Sequence, residues 1–451
     1  MKTDKRLIDL DLLSYAVRSS KADETSIVCL NERRVTSRFA NGRAHQNLAQ
    51  DDLTIWIMVH LGQRVGVSIS NVLDRQAIRR SIDMAIAIAR LAPPDPRTAP
   101  MPHRQAIRTL PTAYDASTEA FSTPERFRLI TGLIDTARHH GCELSGSLMT
   151  EASEMAVANS HGLSVYQRST VAALKTITIK RHVSGFASSI AVDVCKLAAD
   201  RTLARALDKC TIDRTPDKVE PGTYDVILEP EAVGDLVMWL GYIGFGAKAF
   251  YEKTSFLSGR IGEQIMHRRV TIEDDPLHPE GLPTAFDFEG VPKRRVKLID
   301  AGVAKSVVFD SAYARLYRRD STGHAMAPDD TEGPLPLHPV VAPGETTLAQ
   351  MIRSVSRGIL ITRFHYVNGL LKPRAALMTG LTRDGTFLIR RGKIDRPVRN
   401  LRFTESIVDA FRRVTAISRD RRLVGDPTAD PGACLAPAML IPRFAFTGTT
   451  R

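Results

Sequence analysis

Two histidines stand in the stretches best equipped for chemistry. His324 closes Ser-Thr-Gly-His (321–324), and His365 lies within Arg-Phe-His-Tyr (363–366). Imidazole changes charge near neutral pH, so it serves as general base, acid or metal ligand. Both adjoin groups suited to holding a peptide backbone: Ser321 and Thr322 beside the first, Arg363, Tyr366 and Asn368 beside the second. One reading has them line a substrate channel or face a partner. The other, which we favour, has them satisfy buried carbonyls, because no third ligand or paired carboxylate accompanies either. Ser258-Gly-Arg260 with Glu263 poses the same choice. Arg260 is suited to grip a substrate carboxylate or a partner's acidic side chain, or to bind Glu263 within its own fold.

Other polar clusters read as structural. Glu273-Asp274-Asp275 lacks the alternating spacing of a calcium loop and is expected to be solvated. His60 falls on an alternating strand with Trp56 and Met58, and His161 in a turn. The five cysteines are odd in number and scattered without a CxxC pair, so they read as small buried apolar residues rather than disulfides or zinc ligands. No Walker motif, GxGxxG or GxSxG elbow occurs.

The elements that must position these groups fall into two halves. The first predicts helices over 7–22, 73–91, 122–141 and 189–209, with Leu10, Leu13, Tyr15 and Val17 facing inward on the first and Ser122-Thr-Pro-Glu125 as a capping box on the third. Strands are expected at 26–30, 35–40, 54–61 and 65–70, and a strand–turn–strand over 143–179. Residues 92–114 read as a Pro-rich surface loop. A polar linker, 211–222, divides a first domain (1–210) from a second (223–451). In the second, Tyr224–Leu228 is a strand and Pro230 opens a helix whose apolar residues are Val233, Leu236, Val237, Leu240 and Ile243. Hairpins are expected about Asp300–Gly302, Thr382–Gly385 and Gly392, a short helix over 347–354, and a long loop over 326–344. The fold class is therefore α+β: an N-terminal mixed α/β-sheet domain, then a β-rich, curled-sheet or barrel-like C-terminal domain.

Composition narrows the function. The chain of 451 residues is 43% hydrophobic and 25% charged, ordinary for a globular protein. No apolar run approaches the ~20 residues that span a bilayer, and the N-terminus lacks a signal-peptide pattern, so no membrane contact and a cytoplasmic location are expected. The net charge of +12 invites a nucleic-acid reading. Its Arg and Lys are dispersed in small groups, aromatics are only 6%, and no recognition motif is visible, so nucleic acid is not the expected partner.

The longer stretches resemble the TldD/PmbA family, once called modulators of DNA gyrase. They include SFLSGRIGEQI (255–265), FDFEGVPKRRVKLIDAGV (286–303), STGHA (321–325), RGILITRFHYVN (357–368) and LTRDGTFLIRRGKIDRPVRNLRFTES (381–406); SRFANGRAHQNLAQDD (37–52) and MAVANSHGLSVYQRST (155–170) also fit. TldD-type members carry HExxxH on the helix after the first strand of the second half, with a later cysteine as third zinc ligand. In this chain the histidine positions fall on Met238 and Ile243, the glutamate on Trp239, and the cysteine near Leu423, with Cys434 further on. A thioether, an indole and an alkyl group neither hold zinc nor act as base. The resemblance is thus to the PmbA (TldE) type. It implies no metal or cofactor in this chain, zinc in a TldD-type partner, a heterodimer with that metallopeptidase subunit, and an unfolded peptide as substrate. Arg260, Glu263, His324, Arg363, His365, Tyr366 and Asn368 become candidates for the substrate channel or partner face. The alternatives are a hydrolase subunit recruited to natural-product biosynthesis and a gyrase-associated or nucleic-acid-binding regulator.

Overall fold

The computed structural model describes residues 7–212, 214–427 and 432–449. The first half comprises α1 (Leu10–Ser19), β1 (Glu24–Ala40), β2 (Arg43–Leu61), β3 (Arg64–Ser70), α2 (Arg75–Leu91), α3 (Ala116–Glu119), α4 (Thr123–His139), β4 (Glu143–Asn159), β5 (Ser164–Lys180), β6 (Val183–Ala191) and α5 (Ala199–Cys210). Its strands form one antiparallel sheet ordered β3-β2-β1-β4-β5-β6. Successive side chains on a strand point to opposite faces, and the two sets go to different places. Ile27, Cys29, Ile55, Ile57 and Val59 pack under α1 and α2. Val28, Trp56, Val157 and Val165 on the other face pack against Ala285 and Phe286 of the second half.

The second half contains β7 (Gly222–Leu228), α6 (Pro230–Leu240), β8 (Ile272–Asp274), β9 (Val296–Asp300), β10 (Val303–Ala304), β11 (Pro339–Val341), β12 (Arg357–Lys372), β13 (Leu377–Arg390), β14 (Lys393–Pro397), β15 (Leu401–Ser406), β16 (Ala416–Val424) and β17 (Cys434–Thr449). The sheet runs β10-β9-β8-β11-β17-β15-β13-β12-β7, with β14 on β13 and β16 on β17. Because β7 pairs with β12 on one side and β17 on the other, the sheet curls back on itself around the large core that α6 fills. The fold is α+β with a β-rich, curled second half, as expected.

Local signals located most elements. The capping box at Ser122 and Glu125 starts α4, and Pro230 takes the first turn of α6. Four expectations are corrected. Residues 189–198 are not helix: Ser184–Ala191 pair with β5, a short 3-10 turn follows, and α5 begins only after Ala198. Pairing with a neighbouring strand overrode the local Ala/Leu propensity there. Thr382–Gly385 is no hairpin turn but a bulge within continuous β13. Thr362 faces both Asp384 and Gly385, whose positive φ angles (48° and 122°) absorb the extra residue. Tyr15 points to solvent, while Leu13, Ala16 and Val17 are the buried residues of α1. The acidic cluster at 273–275 is not solvated: Asp274 is fully buried and Glu273 nearly so.

Candidate functional site

Helix α6 is where the two halves are locked together. Its cap residue Glu229 is buried and receives three polar groups. Lys209 of α5 approaches Oε2 at 2.9 Å, Thr362 of β12 donates to the same oxygen at 2.7 Å, and Arg422 of β16 lies 4.0 Å from Oε1. Arg422 also bonds Glu231 at 2.8 Å. Burial pushes the Glu229 carboxyl up, but the Lys209 and Arg422 charges and the hydrogen bonds outweigh it, so it stays below its ordinary value. Two carboxylates in the first turn also suit the positive end of the helix.

One turn further on, Asp235 is half-buried and hemmed in by protein. That desolvation pushes its carboxyl up to about 7, against the pull of the Arg363 guanidinium and a hydrogen bond from the Phe364 backbone. Arg363 itself is held on three sides. It bonds Asp384 through Nε (3.1 Å) and Nη2, and its guanidinium lies 4.3 Å from the ring centre of Phe186 in the first half. A carboxyl titrating near neutrality beside a fixed guanidinium can both donate to and accept from a peptide group.

The helix face beyond Asp235 is apolar. Ile243 is buried, Met238 and Trp239 pack against the core, and Trp239 meets Tyr242 edge-on at 5.6 Å. Strand β12 closes over them at Gly369, where an added Cβ would lie 2.8 Å from the Trp239 ring and 3.3 Å from Ile243. Zinc needs imidazole, thiolate or carboxylate donors converging at about 2.0–2.3 Å. These three side chains do not fit it. Cys434 is fully buried, its thiol pushed up by burial and by Asp235 and Asp274. Among the described residues no three His, Cys, Asp or Glu side chains converge on a metal-sized point.

The structure separates the other predicted residues. His365 is partly exposed beside Tyr366 (4.1 Å between rings), and desolvation with Arg383 and Arg363 holds it below its ordinary value. Tyr366 is 80% exposed, and Asn368 is exposed with its side chain accepting from the Leu370 N–H. These join Arg363 along the outer half of β12. His324 does not join them: it is fully buried, with Nε2 2.8 Å from Asp274 and Nδ1 2.9 Å from Thr322. Its side chain is enclosed by the fold, and its main partner is a carboxylate rather than a carbonyl. Arg260 and Glu263 pair with one another at 3.2 Å on an exposed turn. Reasoning from sequence missed Glu229, Glu231, Asp235 and Arg422. Only the paired glutamates flanking Pro230 gave a signal, and it pointed to the helix dipole.

Residues 221–448 match the family model described as the PmbA/TldA metallopeptidase C-terminal domain. The chain belongs to the PmbA/TldD family. It is 24% identical over 422 residues to the metalloprotease PmbA of Escherichia coli O157:H7, covering 89% of each chain. Its fold matches TldE from Thermococcus kodakarensis with a TM-score of 0.86 at 22% identity, over 97% of this chain and 99% of that one. A modulator of a DNA gyrase from Thermotoga maritima matches with a TM-score of 0.84 at 21% identity, over 94% and 96%. Among the described residues no helix is long and apolar enough to cross a membrane.

Proposed function

We propose that this chain is the metal-free, TldE-type subunit of a two-component PmbA/TldD metallopeptidase of the cytoplasm. A TldD-type partner supplies zinc and general base, while this chain closes the chamber and helps hold an unfolded peptide. The observation that carries the reading is the α6 face. By the family resemblance Met238, Trp239 and Ile243 fall where TldD-type members carry HExxxH; Trp239 and Ile243 pack under Gly369, and Met238 packs against the core. Asp235 and Arg363 are the groups on this face able to bind a peptide backbone, with His365 and Tyr366 further along β12.

Co-expression with the TldD-type protein of the same organism tests this. Light scattering of the purified species should give the mass of one chain of each, and metal analysis about one zinc per pair, bound by the partner. The chain alone should bind no zinc stoichiometrically and cleave nothing. One equivalent of zinc on the isolated chain, or a homodimer that ignores the partner, would overturn the proposal.

A further inference from the structure

A second cleft lies apart from α6 and shares no lining residue with that helix or β12. It has a volume of about 380 Å³, within the range of small-molecule sites. Its floor is the middle of β1, β4 and β5, on the sheet face that meets the second half, and its roof comes from residues 282–293 and 337–338.

Two groups on its walls lack the partners their chemistry demands. Lys293 is only 8% exposed, yet among the described residues its ammonium makes no hydrogen bond or ion pair. The two carboxylates whose charge reaches it are committed elsewhere. Asp274 accepts from the His338 N–H (2.7 Å) and His324 (2.8 Å), and Asp287 from the N–H groups of Glu289, Val291 and Ala325. Burial accordingly pulls the ammonium below its ordinary value. Glu32, on the floor, is the converse. Its carboxylate makes no hydrogen bond among the described residues, and its one ion pair, to Arg34, is long at 3.9 Å because Arg34 is bonded to Glu151 at 2.6 Å. Burial and Glu151 hold its carboxyl above the ordinary value. His338 also lines the roof; its Nε2 meets Thr284 at 3.1 Å, and its buried Nδ1 lies 4.0 Å from Asp274.

A nearly buried amine without an acceptor is costly, and a half-buried carboxylate without a donor gains from one. One ligand class relieves both at once. We propose that this cleft binds a small zwitterion, a free amino acid or a di- or tripeptide with both ends unblocked, its carboxylate on Lys293 and its ammonium on Glu32. The site depends on neither zinc nor a partner subunit, so it can fail or stand independently of the peptidase reading.

Isothermal titration of the full chain with the standard amino acids, Ala-Ala and Ala-Ala-Ala is the test, with acetyl-Ala-Ala and Ala-Ala-amide as blocked controls. At least one free ligand should bind, and blocking either end should weaken binding about tenfold or more, the scale of a lost charge-assisted hydrogen bond. Lys293→Gln should weaken the free ligand but leave the amide unchanged. Glu32→Gln should weaken the free ligand but leave the acetylated one unchanged. Among the described residues neither side chain makes a hydrogen bond, so circular dichroism should match the parent; if Lys293→Gln does unfold, Glu32→Gln decides alone. No binding by any free ligand, equal binding of free and blocked forms, or parental affinity in Glu32→Gln would overturn the site.

Discussion

Replacing Glu229 with Gln tests how the two halves are held. The amide keeps the shape and removes the charge, leaving the Lys209 ammonium, whose side chain is 14% exposed, without an anion. Arg422 keeps only Glu231. Losing one member of a buried pair costs about 3–5 kcal/mol, which at 1.4 kcal/mol per decade is roughly two to three and a half powers of ten in the folding constant. Replacing both charges, Lys209→Met with Glu229→Met, should restore part of that, since the ammonium is no longer left unpaired and only the Thr362 hydroxyl loses its acceptor while Arg422 keeps Glu231. Urea titrations of the parent, the Gln variant and the double variant at pH 7 measure this. pH adds a second readout. The folded carboxyl is held below 4.5, so the unfolded chain takes up a proton on it first. Its stabilisation is complete above about pH 4.5 and is lost as pH falls through the folded value. The Gln variant should lose less stability than the parent across that acid window. A Gln variant within about 1 kcal/mol of the parent at pH 7, or a double variant no better than the single, would refute the reasoning.

Two further outcomes follow. Gly385→Ala should loosen the same junction from another side: an added Cβ would sit 2.2 Å from the Thr362 hydroxyl that bonds Glu229, at a φ of 122°. A loss of about 1–3 kcal/mol in the same urea assay is expected, and parental stability would show the bulge to be unconstrained. Cys195 is the exposed thiol, while Cys29, Cys142, Cys210 and Cys434 are buried, with burial pushing Cys29 up to about 12 and Cys210 to about 11. Ellman's reagent should therefore titrate about one thiol in the native chain and the rest only after denaturation; rapid reaction of two or more would contradict the packing.

What the sequence disclosed was what short-range chemistry controls. Asn41-Gly42, the Ser122–Glu125 box, Pro230 and Gly392 each fix a boundary through their own backbone, and each boundary stands where they place it. The failures came where a partner distant in sequence decides. Asp384-Gly385 reads as a turn because those residues favour positive φ, yet the strand continues because β12 pairs on both sides of the bulge. The charged run 273–275 reads as surface, yet Asp274 is buried because His324, fifty residues away, and the His338 N–H satisfy it.

The same distinction divides the candidate site. That Met238, Trp239 and Ile243 offer no imidazole, thiolate or carboxylate is legible, because the sequence alone fixes the chemistry of those three side chains. The charges that hold the helix in place are not legible, because Lys209, Glu229, Thr362 and Arg422 come from four separate elements and none marks itself locally. Their geometry also fixes the start of α6. A structural metal supplies folding energy by tying distant segments to one point. Here Glu229 does that, tying α5, β12 and β16 to the start of α6, while the apolar face beyond it packs against β12. The helix keeps its position from these contacts, and Asp235 and Arg363 lie beyond them.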